Sequence, residues 1–314
     1  SPRIYGLFSA KTTLNQCFLE RKEPAMDENL KSTDTGNILP EPPRPDAETG
    51  AMNDAQAADT QTAVPSAETQ PADTMTDPVP GARPELLALS HVNKNYGSKK
   101  VLDDLSFTIG RGGVIGLLGP NGSGKTTTIK LIAGLLVPNS GEILINGMAP
   151  SPATAAMISY LPERNFLPLG EKVSYLIDYF ADFYRDFDRR KAYEMLGRLG
   201  VSEKERLKNL SKGTREKVQL ILVMSRRAEL YILDEPLGGV DPAARDYILD
   251  TILSNYSENG SILISTHLIS DVERVLDDVI FMADGRAAFC ASVRSIHEKH
   301  GKTVDELFRE VYKC

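Results

Sequence analysis

Gly119-Pro120-Asn121-Gly122-Ser123-Gly124-Lys125-Thr126 fits the pattern GxxxxGK[ST], whose chemistry is the capture of a phosphate chain. Its glycines let successive backbone N–H groups turn inward, at the positive end of whatever helix follows. Lys125 can then reach the β- and γ-phosphates, and the Thr126 hydroxyl can take a Mg²⁺ ligand position, with Thr127 next to it. Far downstream, four apolar residues, Leu230 to Leu233, run directly into Asp234-Glu235-Pro236. A buried strand that ends in two acids needs a cation or a reaction to justify them. Asp234 would hold Mg²⁺, through water, and Glu235 would polarise the water that attacks the γ-phosphate. Taken singly, the first segment could be a tight glycine turn and the second a helix cap or surface turn. Their co-occurrence favours the chemical reading.

Both segments need particular elements around them. Val114-Ile115-Gly116-Leu117-Leu118 reads as a buried strand before the glycine loop, and the helical run Thr126 to Leu136 follows it. Leu86 to Leu89, then Leu105, Phe107 and Ile109, alternate with polar residues at the strand period of two, so a folded domain is expected to start near Glu85. Gly141 to Gly147 reads as a further strand between turn residues. Apolar positions move to helical spacing from about Glu171 to Gly200, and Asp305 to Tyr312 reads as a terminal amphipathic helix. Runs at Leu230–Leu233, Ser261–Ser265 and Asp278–Met282 are nearly continuously apolar. Such runs separated by helices imply a parallel sheet covered on both faces.

Composition sets outer limits. The 314 residues hold 43 acidic and 36 basic side chains, a formal net charge of −7, which argues against nucleic-acid binding through bulk positive charge. Residues 1–83 alone carry 13 acidic and 7 basic side chains. Rich in Pro, Ala, Thr and acids, they read as a solvated disordered tail, with a specific docking tail as the alternative. Residues 84–314 are then the folded domain. No stretch reaches the ~18 to 20 apolar residues of a spanning helix, so any membrane role calls for a partner. Cys17, Cys290 and Cys314 are too scattered for a disulfide framework or metal site, which fits a reducing compartment. The apolar patch from Ile4 to Phe8 is too short for a signal peptide, and Met26 is a candidate start of translation.

Together these segments resemble the ATP-binding subunit of an ABC transporter. Leu210-Ser211-Lys212-Gly213-Thr214 resembles the LSGGQ signature, Gly238-Gly239-Val240-Asp241 the D-loop that crosses the dimer interface, and Ser265-Thr266-His267 the segment of the switch histidine. Read alone, His267 would be an ordinary polar residue at a strand terminus, and Tyr96 a packing residue. The resemblance implies instead that His267 hydrogen-bonds the γ-phosphate and that Tyr96 stacks on adenine. It implies that Ser211 and Gly213 complete a second subunit's site in trans, as a helix N-terminus can for an anion. The implied fold is α/β: a P-loop NTPase parallel-sheet core with an antiparallel β subdomain and an inserted helical subdomain at about 164–212. The implied function is a Mg²⁺-dependent ATPase motor, paired with a second copy or a paralogue. It would work at the cytoplasmic face of the cell membrane as a peripheral subunit on a separate transmembrane permease.

Two segments depart from the family pattern: Glu163, after Tyr160-Leu161-Pro162, stands where a glutamine is usual, and Lys212 and Thr214 replace Gly and Gln of the signature. A carboxylate at 163 can still ligate Mg²⁺ but adds charge. The YLPE and LSKG forms resemble the ABC-2 export branch. Tyr175, Tyr179, Phe180, Phe183, Tyr184 and Phe187 would form the small core of the helical subdomain or, alternatively, a partly exposed groove that grips the partner. Soluble ABC-type ATPases of translation or DNA maintenance are disfavoured, because the chain has neither a second ATP-binding module nor a long coiled coil. A non-hydrolysing scaffold is disfavoured because Lys125, Asp234, Glu235 and His267 are all present.

Overall fold

A computed structural model describes residues 83–257 and 259–312, apart from the side chains of 243 and 244. The expected tail, Cys17, Cys314 and the candidate start at Met26 lie outside the described residues.

A three-stranded antiparallel sheet comes first, in the order β2-β1-β4: β1 is Glu85–Tyr96, β2 Lys99–Gly110 and β4 Ser140–Ile145. The larger sheet runs β5-β6-β7-β3-β8-β9, from β3 (Val114–Leu118), β5 (Ile158–Leu161), β6 (Leu230–Asp234), β7 (Ser261–Thr266), β8 (Asp278–Ala283) and β9 (Arg286–Ser292). Its first five strands are parallel, and only β9 pairs antiparallel, on β8.

The continuous apolar runs have a simple cause. Successive side chains of a strand point to opposite faces. Tyr231, Leu233, Ile262, Ile264 and Phe281 join one core cluster, while Leu230, Ile232, Leu263, Ile280 and Met282 join another. The first cluster lies under the helices α3 (Val173–Phe183), α4 (Arg189–Arg198) and α5 (Lys212–Met224); the second joins the antiparallel sheet and α1 (Lys125–Ile132). Short α2 (Pro152–Met157) precedes β5, α6 (Pro242–Leu253) and α7 (Ile269–Val272) follow β6 and β7, and α8 (Val293–His300) and α9 (Val304–Val311) close the described chain.

Helix α1 is shorter than its sequence predicts. The apolar periodicity continues to Leu136, but the helix ends at Ile132, because Gly134 turns to φ +70° and donates its N–H to the Leu131 carbonyl. Leu136 still packs against the second core cluster, so its apolar character reports burial rather than helix. Of the six aromatics at 175–187, Tyr179 and Phe180 are buried and Tyr184 and Phe187 pack against the core, whereas Phe183 is 50% exposed. Among the described residues no helix is long and apolar enough to cross a membrane.

Candidate nucleotide site

The carboxyl ends of β3, β6 and β7 converge, and the glycine loop, the acidic pair and His267 leave from them, where open parallel sheets place their ligands. Backbone crowding fixes the loop. A Cβ on Gly119 would lie 2.6 Å from the Met282 carbonyl oxygen, and Gly124 combines φ +107° with a Leu102 methyl 2.6 Å from where its Cβ would be. Helix α1 starts directly at Lys125 with no side-chain cap, so its first amides are left to an anion. The Lys125 side chain is 6% exposed; its ammonium donates to the carbonyls of Gly119 (2.7 Å) and Pro120 (3.3 Å) and lies 3.7 Å from Glu235 Oε1. Burial pushes the Lys125 pKa down, while Glu235 and Asp234 oppose that shift. Asn121, Gly122, Thr126 and Thr127 line the cleft beside it. Ser123 is buried, with its Oγ unpartnered.

Opposite the loop, Asp234 is the last residue of β6 and 1% exposed. Its Oδ1 accepts from Ser265 Oγ (2.6 Å) and, weakly, from Thr126 Oγ1 (3.4 Å), while Oδ2 is buried with no partner. Burial raises its pKa, the two hydroxyls lower it, and Glu163 and Glu235 raise it further. Glu235 stands at φ +51°, an unusual left-handed conformation for a glutamate, and one that clusters at functional sites. Its amide donates to both the carbonyl and the hydroxyl of Ser265 (3.1 Å each). Its Oε2 lies 2.9 Å from His267 Nδ1. Ser265 therefore organises both acids. The sequence signal for it is slight: one of two adjacent hydroxyls, Ser265 and Thr266, at the end of an apolar strand before the histidine.

The oxygens of Thr126 and Asp234 suit Mg²⁺: hard donors side by side, one carboxylate oxygen buried and unsatisfied. Among the described residues no three or more His, Cys, Asp or Glu side chains are placed to hold a metal together, so protein groups alone do not complete the coordination of such an ion.

A cleft of about 1150 Å³ opens over these groups. Six basic side chains line it (Lys99, Lys100, Lys125, Arg164, Lys212, Arg215) against four acidic ones (Glu163, Glu216, Glu235, Asp284). A chain of net charge −7 thus has a locally cationic cleft, which attracts polyanions. Glu163 is exposed on its wall. Tyr96 is 49% exposed at the β1–β2 turn with the Lys94 ammonium 5.6 Å from its ring centre, and this hairpin lines the cleft with Lys99, Lys100 and Val101. Ser211 caps α5, its Oγ accepting from the Thr214 amide (3.1 Å), and Gly213 is open, with nothing within 4 Å of an added Cβ. Of that segment, Lys212 lines the cleft while Ser211 and Gly213 are exposed.

Comparison with known proteins agrees with this architecture. Residues 102–238 match the ABC transporter family model. An uncharacterized ABC transporter ATP-binding protein of Methanocaldococcus jannaschii is 33% identical over 218 residues, 68% of this chain and 80% of that protein. The Nod factor export ATP-binding protein I of Rhizobium meliloti is 32% identical over 241 residues, 73% of this chain and 72% of that protein. Among solved structures, the ATP-binding subunit of an ABC transporter superposes with a TM-score of 0.67 at 30% identity, covering 73% of this chain and all of that one. With the strand-end cradle and its facing acids, these likenesses make the chain a member of the ABC transporter ATP-binding proteins, the subunits that hydrolyse ATP to drive transport.

Proposed function

We propose that the cleft binds Mg²⁺-ATP and that each group described above has one task in its hydrolysis. The loop amides from Gly119 to Thr127 and the Lys125 ammonium hold the β- and γ-phosphates; Lys125 exchanges the Gly119 and Pro120 carbonyls for phosphate oxygens. Thr126 and Asp234, with Glu163 on the wall, would hold Mg²⁺, which supplies charge neutralisation at the phosphate oxygens when bound. Glu235 takes a proton from the attacking water, whose oxygen bonds to the γ-phosphorus as the bond to the bridging oxygen breaks, leaving ADP and phosphate. His267 holds Glu235 through Nδ1 and has its other ring nitrogen for the γ-phosphate. The observation that carries this reading is the linkage of His267, Glu235 and Lys125 across the mouth of the cradle.

Ser211 and Gly213, exposed at the tip of α5, close the site of a second copy or a paralogue, and Gly238 to Asp241 lies at that contact. Tyr96 stacks on adenine when the hairpin closes over the base. The chain works as a peripheral subunit on the cytoplasmic face of the cell membrane, on a separate permease reached through α3 and the aromatic side chains at 175–187. Export is the favoured direction, in keeping with the Rhizobium relative's name. The folded domain is 84–314 with a helical subdomain at about 164–212.

The test is Glu235→Gln. ATP affinity is expected within about twofold of wild type while turnover falls at least about a hundredfold, as when a general base is lost. Hydrolysis near the wild-type rate refutes the assignment.

A further inference from the structure

Two segments leave the catalytic strand ends, the turn Gly238–Asp241 after Glu235 and the stretch 268–275 after His267, and one side chain joins them. Arg245, in the first turn of α6, donates Nε to the Val240 carbonyl (3.2 Å) and Nη1 to Asp271 Oδ2 (2.6 Å). The two side chains are 23% and 29% exposed, so the pair is shielded and hydrogen-bonded rather than a loose surface contact. Asp271 lies one helical turn beyond His267 in α7, whose Ile269 and Val272 are 2% and 0% exposed. The Leu268 amide donates to the hydroxyl of Thr266 at the end of β7 (3.0 Å), which limits play between α7 and His267. On the other arm the Gly238 amide donates to the Glu235 carbonyl (2.9 Å) and that of Val240 to Leu237 (3.3 Å). His267 Nδ1 against Glu235 Oε2 then closes a ring: Glu235, the turn, Arg245, Asp271, His267 and back to Glu235.

We propose that Arg245 is a positioning residue that holds His267 against Glu235 and passes displacement of the turn Gly238–Asp241 to that pair. This rests on the reading that Glu235 and His267 act on the attacking water and the γ-phosphate. It adds a route by which engagement of a second copy at the turn sets the geometry of the chemistry. A second ion pair between the same elements, Arg274 Nη2 to Asp246 Oδ1 (2.6 Å), is far more exposed, at 55% and 71%. It bypasses Val240 and supplies an internal control.

The experiment uses the full chain with Arg245→Ala, Arg245→Lys, Asp271→Asn and Asp246→Ala. Arg245→Ala and Asp271→Asn are expected to lower kcat for Mg²⁺-ATP hydrolysis about tenfold or more while ATP affinity by calorimetry stays within about twofold. Arg245→Lys, which keeps the charge but lacks the rigid fork of separate N–H donors that spans the Val240 carbonyl and Asp271, falls between, and Asp246→Ala matches wild type. The imidazole nitrogen resonances of His267 should shift in Arg245→Ala and Asp271→Asn and stay put in Asp246→Ala. Wild-type kcat in Arg245→Ala, a parallel loss of ATP affinity, or unmoved His267 resonances overturns the proposal. Should Arg245→Ala not fold, Asp271→Asn and Arg245→Lys decide by the same criteria. Unimpaired hydrolysis in Glu235→Gln would instead defeat the functional reading, and the His267 resonances would then decide alone whether the ring exists.

Discussion

Asp234→Asn should make the nucleotide-free chain more stable while abolishing its activity. The Asp234 carboxylate is 1% exposed, Oδ1 accepts one short hydrogen bond from Ser265 and one long one from Thr126, and Oδ2 has none. Lys125 makes its ion pair with Glu235 rather than with Asp234. Leaving a buried acceptor unsatisfied costs about 1–3 kcal/mol, more when it is charged, and an amide of the same shape keeps the Ser265 bond without the charge. A net gain of about 2 kcal/mol raises the melting temperature of a domain this size by roughly 4–8 °C. Because burial lifts the folded carboxyl above its ordinary value of 3.8, the folded state holds the proton more tightly than the unfolded chain. The burden is therefore absent below the unfolded value, grows as pH rises through the interval up to the folded value, and is complete above it. Calorimetric melts of wild type and variant without Mg²⁺ or nucleotide should differ most at neutral pH and converge as pH falls toward the ordinary carboxylate range. Adding Mg²⁺-ATP should reverse the order, since only the wild type gains binding energy from the metal site. A variant that melts below wild type at neutral pH without ligands refutes the reasoning.

Other consequences are structural. Arg226, 3% exposed, bonds Asp186 through Nε and Nη2 (3.1 Å each) and the carbonyls of Ile158 and Ala156, and stacks 3.9 Å from the Tyr184 ring centre. Arg226→Ala should cost about 3–5 kcal/mol by stranding these acceptors, a fall of roughly 6–20 °C in melting temperature; a fall under about 2 °C would show the hub to be dispensable. The Lys191 ammonium donates to the carbonyls of Met224, the last residue of α5, and of Asn255, just beyond α6, and burial lowers its pKa to about 8. The cost of burying its charge is complete below that value and is relieved as pH rises toward the unfolded 10.5, so wild type should gain stability relative to Lys191→Met between about pH 8 and about pH 10 in urea titrations. A flat or opposite trend contradicts the assignment.

Local signals in the sequence located what is local in the structure. The core strands were visible because both faces of β6, β7 and β8 are buried, which makes their residues apolar without interruption. The glycine loop was visible because only its residue types tolerate that backbone. What stayed hidden depends on partners distant in sequence. The order β5-β6-β7-β3-β8-β9 follows from crossovers that no single segment encodes. Strand β9, Arg-Ala-Ala-Phe-Cys-Ala-Ser, is an edge with a weak alternation, and only its pairing with β8 identifies it. Ser265 and Arg245 look like any polar residues until β6 and β7 are side by side and α7 is laid against α6. The end of α1 departs from the sequence periodicity for a related reason, since Leu136 is apolar on account of a core it reaches after the helix has stopped.

The two departures from the family pattern gain sense when their charges are placed together. Glu163 stands where an amide is usual and Lys212 where a glycine is usual, and both line the same cleft. Each alone would alter its balance of six basic to four acidic side chains; together they leave the cationic excess as it would be with both neutral. The size of the effect shows why that matters. A unit charge about 10 Å from a phosphate is worth about 0.4 kcal/mol in bulk water and nearly 2 kcal/mol at the effective dielectric of a protein surface, and a triphosphate carries several such charges. An added carboxylate with no added cation would therefore weaken nucleotide binding by one or more orders of magnitude, whereas the lysine offsets most of that loss. The cation sits at the start of α5, so the offset depends on how near that helix tip stands to the nucleotide. Charge balance in this chain is thus a property of the arrangement of subdomains as well as of composition, which a residue-by-residue comparison with the family pattern does not reveal.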